Sequence, residues 1–140
     1  LRDNRRICIQ MEHWANSALA HWELTAIQAQ ILLYILARSD QGTSLTSLHR
    51  DFGYSMAALS GMLKRLKEKG YVRVEHCAGD DRRKLLFATE KATQLQDFLS
   101  HAIGQIQRRL YDCFSQEELA TLDRLQKKLL SNLSILTQQP

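Results

Sequence analysis

Apolar residues recur at helical spacing along most of the chain, and this spacing predicts a largely α-helical protein. The first apolar stripe covers residues 7–22. A second stripe covers residues 25–38, where Thr25 is suited to cap a helix N-terminus. This second stripe is apolar over a wide arc, so we expect it to form a central, buried helix.

Two further helical segments follow, separated by a glycine. Residues 45–52 carry apolar residues over two turns, and Gly53 stands where a helix end favours a left-handed residue. Ser55 is an N-cap candidate for a longer helix that ends before Gly70. A short helix, a tight turn and a longer helix outline a helix-turn-helix.

The hydrophobic period then changes from helical spacing to two. Residues 71–75 alternate and include β-branched side chains, which predicts a strand. Residues 76–84 are polar and contain Gly79, which predicts a hairpin loop, and residues 85–88 fit a returning strand. A two-stranded hairpin directly after a helix-turn-helix is a wing.

Two long helices are predicted after the hairpin. Thr89 is an N-cap candidate for the first, and Ser115 and Glu118 have the spacing of a capping box at the start of the second. Both helices carry apolar stripes, over residues 95–110 and 119–136.

These flanking helices hold more apolar surface than the small winged unit can cover, which favours a homodimer that packs both ends of the chain together. The alternative is that the helices fold back on their own monomer, since an apolar stripe shows only that a helix packs against something. The predicted dimerisation residues are Ile7, Met11, Trp14, Leu119, Leu122, Leu129 and Leu133.

The length of 140 residues fits a single domain. We expect residues 24–91 to form the winged-helix region, with residues 1–23 and 92–140 as dimerisation helices. The fold class is therefore mainly α with a small β-hairpin wing. No apolar run has the roughly 18 residues that a membrane span needs, and residues 1–6 do not resemble a signal peptide. The cysteine usage described next favours a cytoplasmic protein.

The chain has three cysteines, Cys8, Cys77 and Cys113, and no CxxC motif. This count argues against a disulfide framework and a zinc ribbon, and it favours reduced cytosolic thiols. We expect Cys8 to be a buried, inert thiol and Cys77 to be more exposed. The five histidines are scattered, so no metal site is expected. No cofactor motif and no hydrolase or nucleotide-binding motif is present, which argues against an enzyme.

The positive charge is concentrated in the middle of the chain. Residues 44–91 hold ten Lys or Arg and six Asp or Glu, while the segments on either side are each balanced, so this segment accounts for the net charge of +4. A localised basic patch is typical of a protein that binds a polyanion, although a solvated basic face would have the same composition.

Candidate DNA contacts lie on the longer helix and on the hairpin. A helix fits the major groove, and its N-terminal residues reach base edges. Successive cations on a hairpin tip can enter a narrow minor groove, where the negative potential is strongest. The predicted DNA-binding residues are Ser55, Met56, Ala57, Ala58, Ser60, Lys64, Arg65, Asp80, Arg82, Arg83 and Lys84.

Three segments resemble the MarR family of winged helix-turn-helix regulators, especially its SlyA-like branch. They are Leu24-Thr25-Ala26-Ile27-Gln28, the stretch from Ser55 to Val72, and Asp80-Asp81-Arg82-Arg83 followed by Thr89-Glu90-Lys91-Ala92. Three positions depart from the pattern. Ala88 replaces the usual leucine, Ala92 replaces a glycine, which the SlyA-like branch tolerates, and Asp81 adds a negative charge near the wing tip.

The resemblance implies a homodimer that binds double-stranded DNA at an inverted-repeat operator, with repression as the expected outcome and release by a small-molecule effector. It implies that Arg82 enters the minor groove, that Asp80 positions this arginine, and that the recognition helix starts at Ser55. Two alternatives remain at this point: a winged-helix module that binds protein without specific DNA binding, and a regulator that senses redox change through a thiol.

Overall fold

A computed structural model describes the backbone of residues 2–137 and the side chains of these residues other than 80–82. The described part of the chain forms helices and one antiparallel hairpin, and a 3₁₀ turn, Ala20–Trp22, follows the first helix. The helices are α1 (Arg2–Leu19), α2 (Ala26–Leu36), α3 (Leu45–Phe52), α4 (Met56–Glu68), α5 (Glu90–Leu110) and α6 (Gln116–Thr137), and the strands are β1 (Val72–Cys77) and β2 (Asp80–Ala88). The chain divides into two compact units, Leu1–Ile106 and Gln107–Pro140.

Helix α2 is the centre of the first unit. Ile31, Leu32 and Ile35 on this helix are fully buried. Thr25 caps its N-terminus, accepting from Gln28 N at 3.2 Å, while Gln28 Oε1 accepts from Thr25 N at 3.0 Å. This reciprocal capping satisfies two backbone donors that would otherwise lack a helical partner. The predicted central, buried helix is confirmed.

The turn between α3 and α4 forms as the sequence predicts. Gly53 closes α3 with a left-handed φ of 75°, and its N–H donates to His49 O at 3.0 Å. His49 Nδ1 lies 2.6 Å from Tyr54 O, which ties the end of α3 to the turn. Ser55 Oγ accepts from Ala58 N at 3.1 Å and begins α4. The predicted helix-turn-helix is therefore confirmed.

The hairpin is longer than predicted. Residues 76–84 were expected to be a loop, but β1 continues to Cys77 and β2 begins at Asp80, which leaves a turn at Ala78 and Gly79. The register shifts between His76 and Cys77, which pair with Lys84 and Asp80, so three residues of β2 form a bulge near the tip. The loop prediction is wrong for His76, Cys77, Asp80 and Lys84, which pair through the backbone although the apolar alternation has ended there. The turn and the bulge lie within the predicted loop.

The base of the hairpin is held by the loop after α2. Thr43 exchanges two backbone hydrogen bonds with Leu86, at 2.9 and 2.8 Å. Gly42 beside it has a left-handed φ of +78°, and a Cβ there would lie 2.7 Å from the Phe87 ring. Only glycine fits this close approach of loop and hairpin.

Replacement of Gly42 or Gly61 by alanine is expected to change the free energy of unfolding in opposite directions. Gly42→Ala should lower the free energy of unfolding by about 1–2 kcal/mol, because alanine is strained at positive φ and meets the Phe87 ring. Gly61→Ala, inside α4, should raise it by about 1 kcal/mol, because nothing lies within 4 Å of the added Cβ. Urea unfolding at one protein concentration measures both, and a shift of the same sign in the two variants would contradict the geometry.

The N-terminal helix differs from the sequence prediction at both ends. Its stripe was expected over residues 7–22, but α1 starts at Arg2 and its last turn becomes the 3₁₀ turn. The early residues lack an apolar period, so periodicity could not show them.

The buried residues of α1 are Ala15 and Leu19. Cys8 is exposed, so the expectation of a buried thiol is wrong, because α1 contacts the core only near its C-terminal end. Cys77 is partly exposed.

Both termini of the described chain display apolar side chains to solvent. On α1, Ile7 and Trp14 are exposed and Met11 is half-buried. On α6 no residue is buried, and Leu129 and Leu133 are 53% and 54% exposed. The predicted capping box starts α6, with Ser115 Oγ accepting from Glu118 N at 3.1 Å. Among the described helices, none combines the length and the apolar character needed to cross a membrane.

Candidate nucleic-acid interface

Helix α4 has one face in the core and one face in solvent. Leu59, Leu63 and Leu66 are buried and pack against the core around α2. The predicted contact residues are all exposed, at the start of α4 or along its solvent side, and they are Ser55, Met56, Ala57, Ala58, Ser60, Lys64 and Arg65. The structure thus brings these residues together on one surface.

The N-terminal half of that surface carries mostly small side chains and no charge. Ala57, Ala58, Ser60 and Gly61 are all exposed, so the helix backbone can approach a ligand closely there. Ser55 uses one hydroxyl lone pair as the N-cap, which leaves its O–H free to donate to a phosphate oxygen. Lys64 and Arg65 follow at the C-terminal half and supply positive charge.

The C-terminal end of α4 is fixed by hydrogen bonds from α5 and its cap. Lys91 Nζ donates to Lys69 O at 2.6 Å, and Thr89 Oγ1 donates to Gly70 O at 2.6 Å. The Lys91 ammonium also lies 4.6 Å from the centroid of the Tyr71 ring. On the other side, Lys69 Nζ donates to Glu23 O. These contacts set the direction in which α4 presents its exposed face.

The hairpin supplies the second cluster of positive charge. Arg83 and Lys84 are exposed on β2. The Arg73 guanidinium on β1 lies 4.7 Å from the Phe87 ring centroid and pairs with Glu75. The side chains of Asp80 and Arg82 lie outside the described residues, so their roles stay predictions. The backbone nevertheless places both residues at the tip of the hairpin.

A polar cluster between α2 and α3 was missed by the sequence reasoning. Tyr34 Oη donates to Asp51 Oδ2 at 2.5 Å, and Arg50 Nε donates to Asp51 Oδ1 at 3.0 Å. The hydrogen bonds from Arg50 and then Tyr34 hold the pKa of the Asp51 carboxyl below its ordinary value. The bond to Asp51, followed by partial burial, raises the pKa of Tyr34. No periodic signal could have shown this cluster, because Tyr34 and Asp51 are 17 residues apart.

The two helices α3 and α4, the basic hairpin and the flanking helices define a winged helix-turn-helix protein. A sequence model of the MarR family matches residues 22–83 of the chain. The HTH-type transcriptional regulator TtmR of Methylorubrum extorquens is 32% identical over 112 residues, which is 78% of this chain and 54% of that protein. The chain thus spans about half the length of this curated relative.

Solved structures of DNA-bound regulators have the same fold. A mutant MarR from E. coli in complex with operator DNA is 26% identical, with a TM-score of 0.80 over 92% of this chain and 91% of that chain. MepR from S. aureus in a DNA complex superimposes with a TM-score of 0.84 over 91% of this chain and 93% of that chain. Its 23% identity supports the fold alone.

The chain is therefore similar in sequence to MarR-family transcription regulators, and it has the fold of solved MarR-family structures. The relatives are transcription regulators and not enzymes, which agrees with the absence of enzyme motifs from the sequence.

Proposed function

We propose that this chain is a bacterial transcriptional regulator that binds an inverted-repeat operator in double-stranded DNA as a homodimer. The observation that carries the proposal is the exposed face of α4, anchored at its C-terminal end and lying in a segment that holds the net positive charge. A rigid helix of small residues followed by cations suits insertion into a major groove. The complex that the related E. coli MarR mutant forms with operator DNA supports the same function.

The major-groove contacts of α4 are expected to be mostly apolar contacts and phosphate contacts. Its exposed N-terminal residues include no Arg, Asn or Gln, the side chains that make the commonest paired hydrogen bonds to bases. Part of the sequence preference therefore comes from DNA shape, read by the hairpin cations in the minor groove. In this proposal Arg82 enters the groove and Asp80 orients it.

Dimerisation is supported by the apolar surface at both ends of the chain. The exposed leucines of α6 and the exposed Ile7 and Trp14 of α1 would be covered by a second copy. Two copies related by a twofold axis present two α4 helices to the two halves of an inverted repeat.

The regulatory outcome that fits this family resemblance is repression. The bound dimer would exclude RNA polymerase from a promoter, and a small-molecule effector would release it. Such a regulator works in the bacterial cytoplasm, where the nucleoid offers its binding sites.

Selection of bound duplexes from a random DNA pool at two salt concentrations tests the proposal. We expect enrichment of an inverted repeat with half-sites about one helical turn apart, and weaker retention at the higher salt concentration. No enrichment by a folded, effector-free dimer would contradict operator binding. It would favour a winged-helix module that binds protein, whose association would not fall steeply with salt.

A further inference from the structure

A network of four side chains joins α2 to α3 at the protein surface. The Tyr34 cluster consists of Tyr34, Arg38, Arg50 and Asp51. Arg38 stacks on the Tyr34 ring, with its guanidinium carbon 3.4 Å from the ring centroid, and its Nη1 donates to Tyr34 O at 3.2 Å. The Tyr34 ring also meets Phe52 edge to face, at 5.4 Å between centroids. Tyr34, Arg38 and Asp51 thus each have at least two contacts that restrict their orientation, and Arg50 is held by its bond to Asp51.

Stability alone does not account for this network. The side chains of Arg50 and Asp51 are 68% and 37% exposed, and an exposed ion pair contributes little to folding because solvent screens it. The network restricts the orientation of the Arg50 guanidinium. Asp51 takes the Nε–H of Arg50, which leaves the two Nη groups with four N–H donors for a ligand. A guanidinium held in this way loses less side-chain entropy when it binds an anion.

The position of Arg50 favours a nucleic-acid phosphate as that anion. Arg50 lies in the last turn of α3, and α4 begins only a few residues later. In a helix-turn-helix, the second helix enters the major groove while the first crosses the backbone. Arg50 is therefore on the element that faces phosphates. The Asp51 carboxylate would repel the DNA phosphates. Its presence beside Arg50 is explained if it orients the guanidinium.

We infer that the Arg50 guanidinium binds an operator phosphate, and that Asp51 and Tyr34 are positioning residues that hold it in place. Arg38 supports the Tyr34 ring from the other side. The inference rests on the proposed operator binding and adds to it a backbone contact on α3, separate from the exposed face of α4 and from the hairpin.

Arg50→Ala should weaken binding to the selected operator by about 3- to 10-fold and lower the slope of log affinity against log salt by about one, similarly for matched and mismatched operators. Arg108→Ala, which removes an exposed arginine of α5, is the control for net charge and should leave the slope unchanged. An unchanged slope and affinity in Arg50→Ala would overturn the inference while operator binding by the natural protein stood. No binding by the natural protein would overturn both.

Asp51→Ala separates positioning from simple charge. Removal of an acid near DNA should tighten binding if only long-range charge matters, whereas loss of positioning should weaken it by about 2- to 5-fold. Asp40→Ala, which removes an exposed acid from the loop after α2, is the control and should not weaken binding. Equal or tighter binding by Asp51→Ala would overturn the positioning role.

Tyr34→Phe gives the same test without a change of charge. It removes the hydroxyl that donates to Asp51 and keeps the ring that packs on Arg38 and Phe52, so folding is preserved. We expect a smaller loss of affinity, about 2-fold, with the melting temperature nearly unchanged. Tyr34→Phe in combination with Asp51→Ala should weaken binding no further than Asp51→Ala alone, and additive losses would contradict a shared network.

Discussion

Leu129→Glu combined with Leu133→Glu is expected to convert the proposed dimer into a monomer and to lower operator affinity by about 10²–10⁴-fold. Both leucines are more than half exposed in the chain itself, so charge at these positions opposes dimer association far more than folding of the protomer. A monomer engages one half-site and loses the effective concentration that links the two. Analytical ultracentrifugation measures the mass, and an electrophoretic mobility shift measures the affinity.

A matched variant places the same two charges on the opposite face of α6. Ala120 and Ser131 are exposed, and helical periodicity puts them away from the stripe that contains Leu129 and Leu133. Ala120→Glu with Ser131→Glu should remain dimeric and bind the operator nearly as the natural protein does. If the leucine variant also stayed dimeric with full affinity, the α6 stripe would not be the dimer interface.

Arg82→Ala is expected to weaken operator binding by about 1–3 kcal/mol, which is roughly 5- to 150-fold. In the proposed complex the variant lacks the cation that enters the minor groove, where a narrow groove concentrates negative potential. The loss should therefore be largest for operators with an A/T-rich segment under the hairpin. Affinities for operators that differ only in this segment, measured at one salt concentration, test the prediction.

Lys64→Ala is the variant to compare with Arg82→Ala. A phosphate contact from α4 should weaken binding uniformly across operators and reduce the salt slope by about one. Arg82→Ala should instead reduce the preference among operators. Equal losses for A/T-rich and G/C-rich segments in Arg82→Ala would argue that Arg82 contacts phosphate and does not read groove shape.

The helices and their order could be predicted from the sequence because they depend on local chemistry. The capping residues Thr25, Ser55 and Ser115 mark the starts of three helices, and Gly53 marks the end of α3. Apolar spacing then shows which face of each helix is buried. The basic segment and the resemblance of residues 24–92 to a known family were likewise visible in the order of residues alone.

The same local signals failed where pairing or packing between distant segments decides the structure. The tip of the hairpin pairs through backbone hydrogen bonds that its polar side chains do not reveal. The exposure of Cys8 depends on which part of α1 reaches the core, and apolar spacing shows a face but not a partner.

The fold class, the helix-turn-helix and the exposed residues of α4 follow from the order of residues, because caps, glycines and apolar period act within a few residues. The folded chain was needed to show how Lys91 and Thr89 hold α4, and how Tyr34 and Asp51 hold Arg50. Apart from the bond between the neighbours Arg50 and Asp51, these contacts join residues 17 to 22 positions apart in the chain. They form because packing around α2 brings these segments into contact, and a local sequence pattern does not predict contacts between distant segments.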